Sequence, residues 1–499
     1  MENRKSLYNT FVSVLSQTII LSLGLIVPRI ILVNYGSDTN GLTSTITQIF
    51  TYVALLEAGI GQATRNALFP FLNGDRKDKS NISIVMSASK RYYRKTTFIY
   101  GAVVLLLAFV LPFVIKSNVS KLVIFLVVLF EGLTGVVSFY FIHYWSMLLT
   151  ADGKSYVTNN IELFSKTLCY IVKIVLALNS ISIVYIQAGY FLVSLLKLLL
   201  YRRYVKKHYS WIELQKVEPN TILKDRYSYV VSEIAWTVFS STDMIILSIC
   251  CSTVESSVYY VYNMIFVAFN SLLNAVYQAL LYNLGQSYHN DLQKYYKMHD
   301  VYNSVFMGSM TALMSTTYIM ILPFVSLYTK GITDVQYIYK ELPIMFCLVQ
   351  LFSWSRYVSG NLSGIAGYAK KVSRVSLIEA IINIVVSLIF VRFFGVFGVL
   401  VGTVFALPLK AIYLNLLADK VIMKRSPINT IKIISVNFLI FLLFVLVNNF
   451  IVLPVYSYIS FIIYGFIVFV ISVIMCVILN SLANKDLYSL LCKSIKLRH

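Results

Sequence analysis

Residues Val157–Leu178 read VTNNIELFSKTLCYIVKIVLAL, a run long and apolar enough to cross a bilayer that nonetheless carries Glu162, Lys166 and Lys173. The spacings of four and then seven residues place all three on one face of a helix. A lysine near the centre of a spanning helix costs about 2.5–3.5 kcal/mol on insertion scales. That cost is tolerable where the face looks into a water-filled cavity, in which a cation can meet an anionic substrate.

The rest of the chain is of the same kind. Of 499 residues, 58% are hydrophobic and only 13% charged, with mean hydropathy +0.75. A soluble fold of this size does not carry so little charge. The expected fold class is an all-α polytopic membrane protein with about fourteen transmembrane helices of about 20 apolar residues each. The expected spans are Thr10–Val33, Gly41–Phe69, Thr96–Ile115, Leu122–Leu149, Val157–Leu178, Ile181–Tyr201 and Tyr227–Ile249. They continue with Val258–Leu284, Val301–Tyr328, Tyr337–Ala366, Val372–Phe394, Phe397–Leu417, Ile431–Leu453 and Val455–Leu482. Met1–Thr10 (MENRKSLYNT) reads as a short basic lead into the first span rather than as a signal peptide. Cys169, Cys250, Cys251, Cys347, Cys476 and Cys492 show no metal-ligand spacing and read as small apolar filler.

The net charge of +21 is explained by its placement. With the N-terminus inside, the inner links collect nearly all the lysine and arginine, from Arg4 and Lys5 through Arg202–Lys207 to Lys496 and Arg498. The outer links hold only Lys116, Lys121, Lys330, Lys340 and Arg392. This positive-inside asymmetry puts both termini in the cytoplasm and argues against nucleic acid as a partner. The surplus also favours anionic membrane lipids. The longest links, Pro70–Lys95 and Arg202–Arg226, are both on the inner side. A glycan polymerase or glycosyltransferase acting outside the cell would need a large outer loop bearing carboxylates, and there is none.

The first six spans and the next six fall in register at an offset of about 216 residues. At that offset Gln62-Ala63 meets Gln278-Ala279 and Lys154 meets Lys370; with one residue more, Ile161-Glu162 meets Ile378-Glu379. An even number of spans per half makes the repeat parallel, as in transporters that rock two halves about a central site. The expected division is residues 1–208 and 209–425 for two pseudo-symmetric six-helix halves, and 426–499 for two extra helices and a tail.

Several polar residues inside spans are candidate site residues, each with two readings. Lys166, about 13 Å from the inner end at 1.5 Å per residue, and Lys173, about 24 Å in, are cavity cations or snorkelling side chains. Glu162 pairs with Lys166 at i, i+4 or is simply wet. Arg29, after the kink-forming Pro28, and Arg356, in SWSRYVSGNLSG, are anion contacts or peripheral cations. The acids Glu57, Glu131, Asp243 and Glu379, with Glu162, carry protons or neutralise cations. Asn263, Asn270, Asn274 and Gln278 share one helix face and either meet sugar hydroxyls or join helices. No phosphate-binding glycine loop, HExxH or nucleophile elbow occurs. No catalytic group, metal site or cofactor is therefore expected.

The run Gln17…Pro28-Arg29-Ile30-Ile31-Leu32…Tyr35-Gly36…Gly41-Leu42, then Tyr52…Leu55-Leu56-Glu57-Ala58-Gly59-Ile60-Gly61, resembles the start of Wzx-type polysaccharide flippases. Arg392-Phe393-Phe394-Gly395-Val396-Phe397-Gly398-Val399, then Gly402-Thr403, is similar to that family's eleventh-to-twelfth-span junction. Over the whole chain, span count and short links resemble the multidrug/oligosaccharidyl-lipid/polysaccharide exporter superfamily. The resemblance implies a flippase in the bacterial inner membrane. Its cargo would be an undecaprenyl-pyrophosphate-linked oligosaccharide for capsule, O-antigen, lipopolysaccharide or exopolysaccharide assembly. It further implies alternating access, coupling to protons or sodium, and a polysaccharide polymerase and chain-length regulator as partners. The family's basic cavity residues correspond here to Arg29, Lys166 and Lys173. Alternatives are a multidrug or cation antiporter of the same superfamily, the flippase for the peptidoglycan precursor, and a membrane glycan polymerase or glycosyltransferase.

Overall fold

The computed structural model describes residues 2–57, 60–72, 78–215, 242–450 and 453–489. Among them every regular element is helical, as hydrocarbon requires of a chain that must satisfy its own backbone groups. The first two spans lie in α1 (Glu2–Val53), a short 3-10 turn (Ala54–Glu57) and α2 (Ile60–Leu72). The third is α3 (Lys79–Val114). The fourth is α4 (Lys121–Val137), a π-helical segment (Ser138–Ile142) and α5 (His143–Ala151). Next are α6 (Ser155–Leu178) and α7 (Ile183–His208). Of the seventh expected span only 242–249 are described, and they are helical. Then come α8 (Thr253–Asn290), α9 (Leu292–Tyr328), α10 (Leu342–Ser355), α11 (Tyr357–Ile365) and α12 (Ala369–Leu416). A second π segment (Leu417–Ile422) precedes α13 (Ile428–Asn448) and α14 (Tyr458–Ala483). The chain is thus an all-α, multi-pass membrane protein with the expected order of spans. Seven segments are apolar and long enough to cross a membrane by composition alone: Lys79–Val114, Lys121–Ala151, Ile183–His208, Leu292–Tyr328, Lys370–Ile422, Ile428–Asn448 and Tyr458–Ala483. The polar residues of α6 keep it out of that set.

Two glycines break the helices at links expected between spans. The helix of α1 continues through Pro28 and breaks at Gly36 (φ 80°), between the expected Thr10–Val33 and Gly41–Phe69; α12 breaks at Gly395 (φ 51°), between Val372–Phe394 and Phe397–Leu417. Both sit in a region that side chains disfavour. After Gly395, Gly398 and Gly402 let the two arms of α12 touch. A Cβ on Gly398 would overlap the Phe390 carbonyl, and one on Gly402 would overlap Ser387. Ser387 Oγ donates to the Val399 carbonyl (3.1 Å) and Asn383 Nδ2 to Thr403 Oγ1 (2.8 Å) across the same hairpin.

The chain gathers into two compact units, Met1–Ser257 and Val258–His499. In the first, α4 packs on α3 and α7, α6 on α1 and α7, and α2 on α3 and α5. Leu42, Ile46, Phe50, Val104, Val128 and Ile186 form part of its core. At one end of this unit, residues 242–257 are tied to α1 and to the link before α4. Lys116 N donates to the Ser248 carbonyl and Thr253 N to the Lys116 carbonyl, each at 3.0 Å. The Asp38 carboxylate accepts from Ser117 Oγ (2.9 Å), Asn118 N (2.7 Å) and Thr253 Oγ1. Lys116 Nζ donates to the Cys250 carbonyl (2.6 Å), and Asn40 Nδ2 to Ser257 Oγ (2.8 Å). Gly41 lies directly against the Thr253 carbonyl, with no room for a Cβ. The opposite end holds Asp152, which pairs with Lys154 (3.0 Å) and accepts from Tyr209 Oη (2.6 Å).

In the second unit α9 packs on α10, α13 and α14, and α12 on α10 and α11. Arg425 joins α9 to the π segment through Asp300 (2.5 Å) and Asp419 (2.8 Å). Asn437 and Asn480 exchange amide hydrogen bonds between α13 and α14 (2.8 and 3.1 Å).

Helix irregularities occur in both units. The first π segment is centred on Tyr140, and α10 gives way to α11 at Arg356, 216 residues further on. Asp78 caps α3 by accepting from Asn81 N, which holds its carboxyl below the usual carboxylate range, and Asp291 caps α9 by accepting from Lys294 N. Gly153 (φ 72°) and Gly367 (φ 81°) make the turns that enter α6 and α12.

The contact at Gly41 predicts that Gly41→Ala costs about 1–3 kcal/mol, as overpacking does. Gly101→Ala, with open space around it, is neutral or stabilising. Thermal unfolding of the purified variants in detergent checks this; equal midpoints for the two would contradict it.

Candidate functional site

Helix α6 exposes two opposite faces. Phe164, Ile171, Val175 and Leu178 make an exposed apolar row. Asn159 and Lys166 are exposed about 200° away around the helix, with half-buried Glu162 and Lys173 beside them. An exposed apolar row suits lipid; an exposed row of amide, carboxylate and ammonium suits water. The charged face singled out in the sequence is thus neither packed away nor part of the apolar surface.

The pairing on this face differs from the expected i, i+4 bridge. Glu162 Oε1 accepts from Lys197 Nζ of α7 instead of from Lys166. Lys166 has no ion-pair or hydrogen-bond partner among the described residues. Lys173 lies over the Tyr190 ring, 4.5 Å from its centroid, and within electrostatic reach of Glu131. The Glu131 carboxylate accepts from Gln187 Nε2. Arg29 is half-buried on α1, which packs along α6.

Glu57 ends the 3-10 turn after α1. His143 Nδ1 is 2.5 Å from its Oε2, and Tyr93 Oη donates to its Oε1 (3.3 Å). The imidazole is held edge-on by Phe139 and Tyr93. Asp243 is buried, in electrostatic reach of Tyr52.

In the second unit the same acid–lysine contact recurs. Glu379 Oε2 lies 3.0 Å from Lys410 Nζ across the arms of α12, and its Oε1 lies 2.5 Å from Arg356 Nη1. All three side chains are buried or nearly so. The helix break at Arg356 frees the Ser355 carbonyl, which Asn415 Nδ2 satisfies (3.1 Å). Glu379 and Arg356 therefore form one cluster rather than two separate sites.

The amide stripe of α8 meets aromatic donors. Asn270 Oδ1 accepts from Trp354 Nε1 (3.0 Å), and Asn274 Oδ1 accepts from Tyr357 Oη. The two rings stack with centroids 4.2 Å apart. Asn263 is half-buried. The Gln278 side chain lies outside the described residues.

Lys197, Lys410 and His143 were missed by the sequence reading. Each is the one basic side chain in a largely apolar run, LVSLLKLLL, ALPLKAIY and SFYFIHYW. The criterion that found Lys166 applied to them equally.

No protein-family model matches the sequence, and no curated protein matches it. Solved structures do match in fold. The chain superposes on lipid II flippase MurJ in an inward closed conformation with TM-score 0.69 and 14% identity, over 96% of this chain and 100% of that one. It is also similar to an inward-facing multidrug resistance MATE family transporter of the MOP superfamily, with TM-score 0.63 and 14% identity, over 80% and 92%. A third match is the MATE multidrug transporter DinF-BH, with TM-score 0.62 and 15% identity, over 84% and 96%. The fold is therefore that of MurJ and the MATE transporters.

Breaking the buried cluster leaves two cations without their anion. Glu379→Gln is expected to cost about 3–5 kcal/mol, and Glu162→Gln, at a half-exposed pair, under about 1 kcal/mol. Chemical unfolding of both variants in detergent measures the difference; comparable losses would contradict it.

Proposed function

We propose that this chain, with a MurJ- and MATE-like fold, is a flippase for a lipid-linked oligosaccharide whose anchor is a polyprenyl (undecaprenyl) pyrophosphate. The observation that carries this reading is the exposed cationic face of α6. Lys166 has no counter-ion among the described residues, and Lys173 adds a second charge one heptad further along. A pyrophosphate is a compact anion with many acceptor oxygens. Ammonium groups spaced along one helix face lower its cost of crossing the bilayer in steps, while the polyprenyl tail stays in hydrocarbon.

In this reading Arg29 and Arg356 are further cations for the headgroup. The amides of Asn263, Asn270, Asn274 and Gln278 meet the sugars. Asn270 gives its oxygen to Trp354, so its Nδ2 is the donor offered; Asn274 gives its oxygen to Tyr357. Glu162, exchanging Lys197 for Lys166, can open and close the path. Glu57, with His143, is suited to carry a coupling proton; Glu131, Asp243 and Glu379 set the local charge balance. The two six-helix halves, 1–208 and 209–425, alternate access by moving about the site, and 426–499 adds the two outer helices. In this reading both termini lie on the cytoplasmic side of a bacterial inner membrane, in keeping with the positive-inside distribution of the basic links. The cargo then moves outward for capsule, O-antigen or exopolysaccharide assembly, where a polymerase and a chain-length regulator would take it up.

A multidrug or cation exporter is the competing reading. It needs an unbalanced acid. Glu131, Glu162 and Glu379 are each met by a donor or cation, and the excess charge on α6 is positive.

Reconstituted vesicles loaded with a labelled polyprenyl-pyrophosphate glycan test the proposal. Wild-type protein should expose the label to an outside enzyme, and Lys166→Ala should slow this about tenfold or more, the scale of one lost charge-assisted contact. Its unfolding midpoint should be unchanged, because the side chain has no partner among the described residues. Flipping at the wild-type rate by Lys166→Ala, or no protein-dependent flipping, would overturn the reading.

A further inference from the structure

On the first unit, at the end that carries Asp152 and Tyr209, a groove of about 490 Å³ lies between α3, α5, α7 and the segment after α7. Lys90, Arg202 and Lys206 line it, and no carboxylate does. None of the three has an ion-pair partner among the described residues. Asp152 touches the wall through Tyr209 and is also paired with Lys154. Glu213, between the lining residues Ile212 and Leu214, does not line the groove.

The rest of the wall is apolar and aromatic. Trp145 stands beside the cations, and Phe141 and Leu199 are exposed, so the groove runs out onto apolar surface. Around α7, Arg202 and Lys206 lie about 140° and 180° from Lys197. The groove is thus on the far side of α7 from the charged face of α6.

We propose that this groove is a binding site for the phosphate headgroup of an anionic membrane phospholipid. The three cations receive the phosphate, Trp145 lies at the level where indole favours the interface, and the acyl chains follow the Phe141 and Leu199 side. Unpaired cations at such a depth are stable only where water or anionic headgroups reach them, and clusters of basic residues between helices are a recognised fit for acidic lipid. The site is independent of what the protein transports.

The test uses the full chain in phosphatidylcholine vesicles containing phosphatidylglycerol brominated on its acyl chain, with brominated phosphatidylcholine as reference. Bromine close to Trp145 quenches its fluorescence, and Trp145→Phe identifies that component. Phosphatidylglycerol should quench at about one-fifth the mole fraction that phosphatidylcholine needs, the factor one basic residue near an anionic surface supplies. The triple variant Lys90→Ala, Arg202→Ala, Lys206→Ala should bring the ratio to about one. An equal charge loss elsewhere, Lys370→Ala, Lys371→Ala, Arg374→Ala, should leave the ratio as in wild type. If the first triple variant fails to fold, Arg202→Gln alone is read the same way. A wild-type ratio of one, an equal drop in both triple variants, or relief of quenching by millimolar inorganic phosphate would overturn the proposal. The last outcome would mark a site for free phosphate instead.

Discussion

Hydrocarbon offers neither hydrogen bonds nor counter-ions, so each polar group in a spanning helix must bring its own partner or reach water. Much of this fold is arranged around that constraint. The carbonyl freed at Arg356 finds Asn415, the hairpin of α12 is bridged by Asn383 and Thr403, and α13 is bound to α14 by reciprocal amides. Glu379 is buried between two cations. Lys166 has no such partner among the described residues, and an ammonium left so costs free energy unless solvent or substrate meets it.

The two halves treat one shared feature differently. In each, a glutamate early in one helix of a hairpin contacts a lysine of the returning helix. In the second half an arginine completes the set and the cluster is sealed. In the first unit no arginine joins the pair among the described residues, and the glutamate and lysine remain partly open. The first half also carries the two additional lysines of α6. One unit thus holds a sealed ion cluster and the other a more open set of charges.

Span order, helical class and the charged face of α6 were legible because they rest on composition and on 3.6-residue periodicity, which are local. The breaks were legible too: Gly36 and Gly395 fall in the links expected at 34–40 and 395–396, where a residue without a Cβ takes a left-handed φ at least cost. Pro28 was the expected kink, yet the helix runs through it. Partners were least legible. The i, i+4 rule pointed Glu162 to Lys166, but the nearest cation came from α7, since a facing helix brings side chains together as effectively as the next turn does. The aromatic acceptance of Asn270 and Asn274 likewise depends on which face of α10 and α11 meets α8.

The glutamate–lysine contact is 35 residues wide in the first half and spans Glu379 to Lys410, four residues fewer, in the second. The first half turns through a non-helical link at residues 179–182, the second at Gly395 alone. The first link is four residues long, as many as separate the two spacings, so the longer joint rather than an added helical turn accounts for the difference. The two hairpins thus reach the same acid–lysine contact through joints of different length: an extended link in one, a single left-handed glycine in the other.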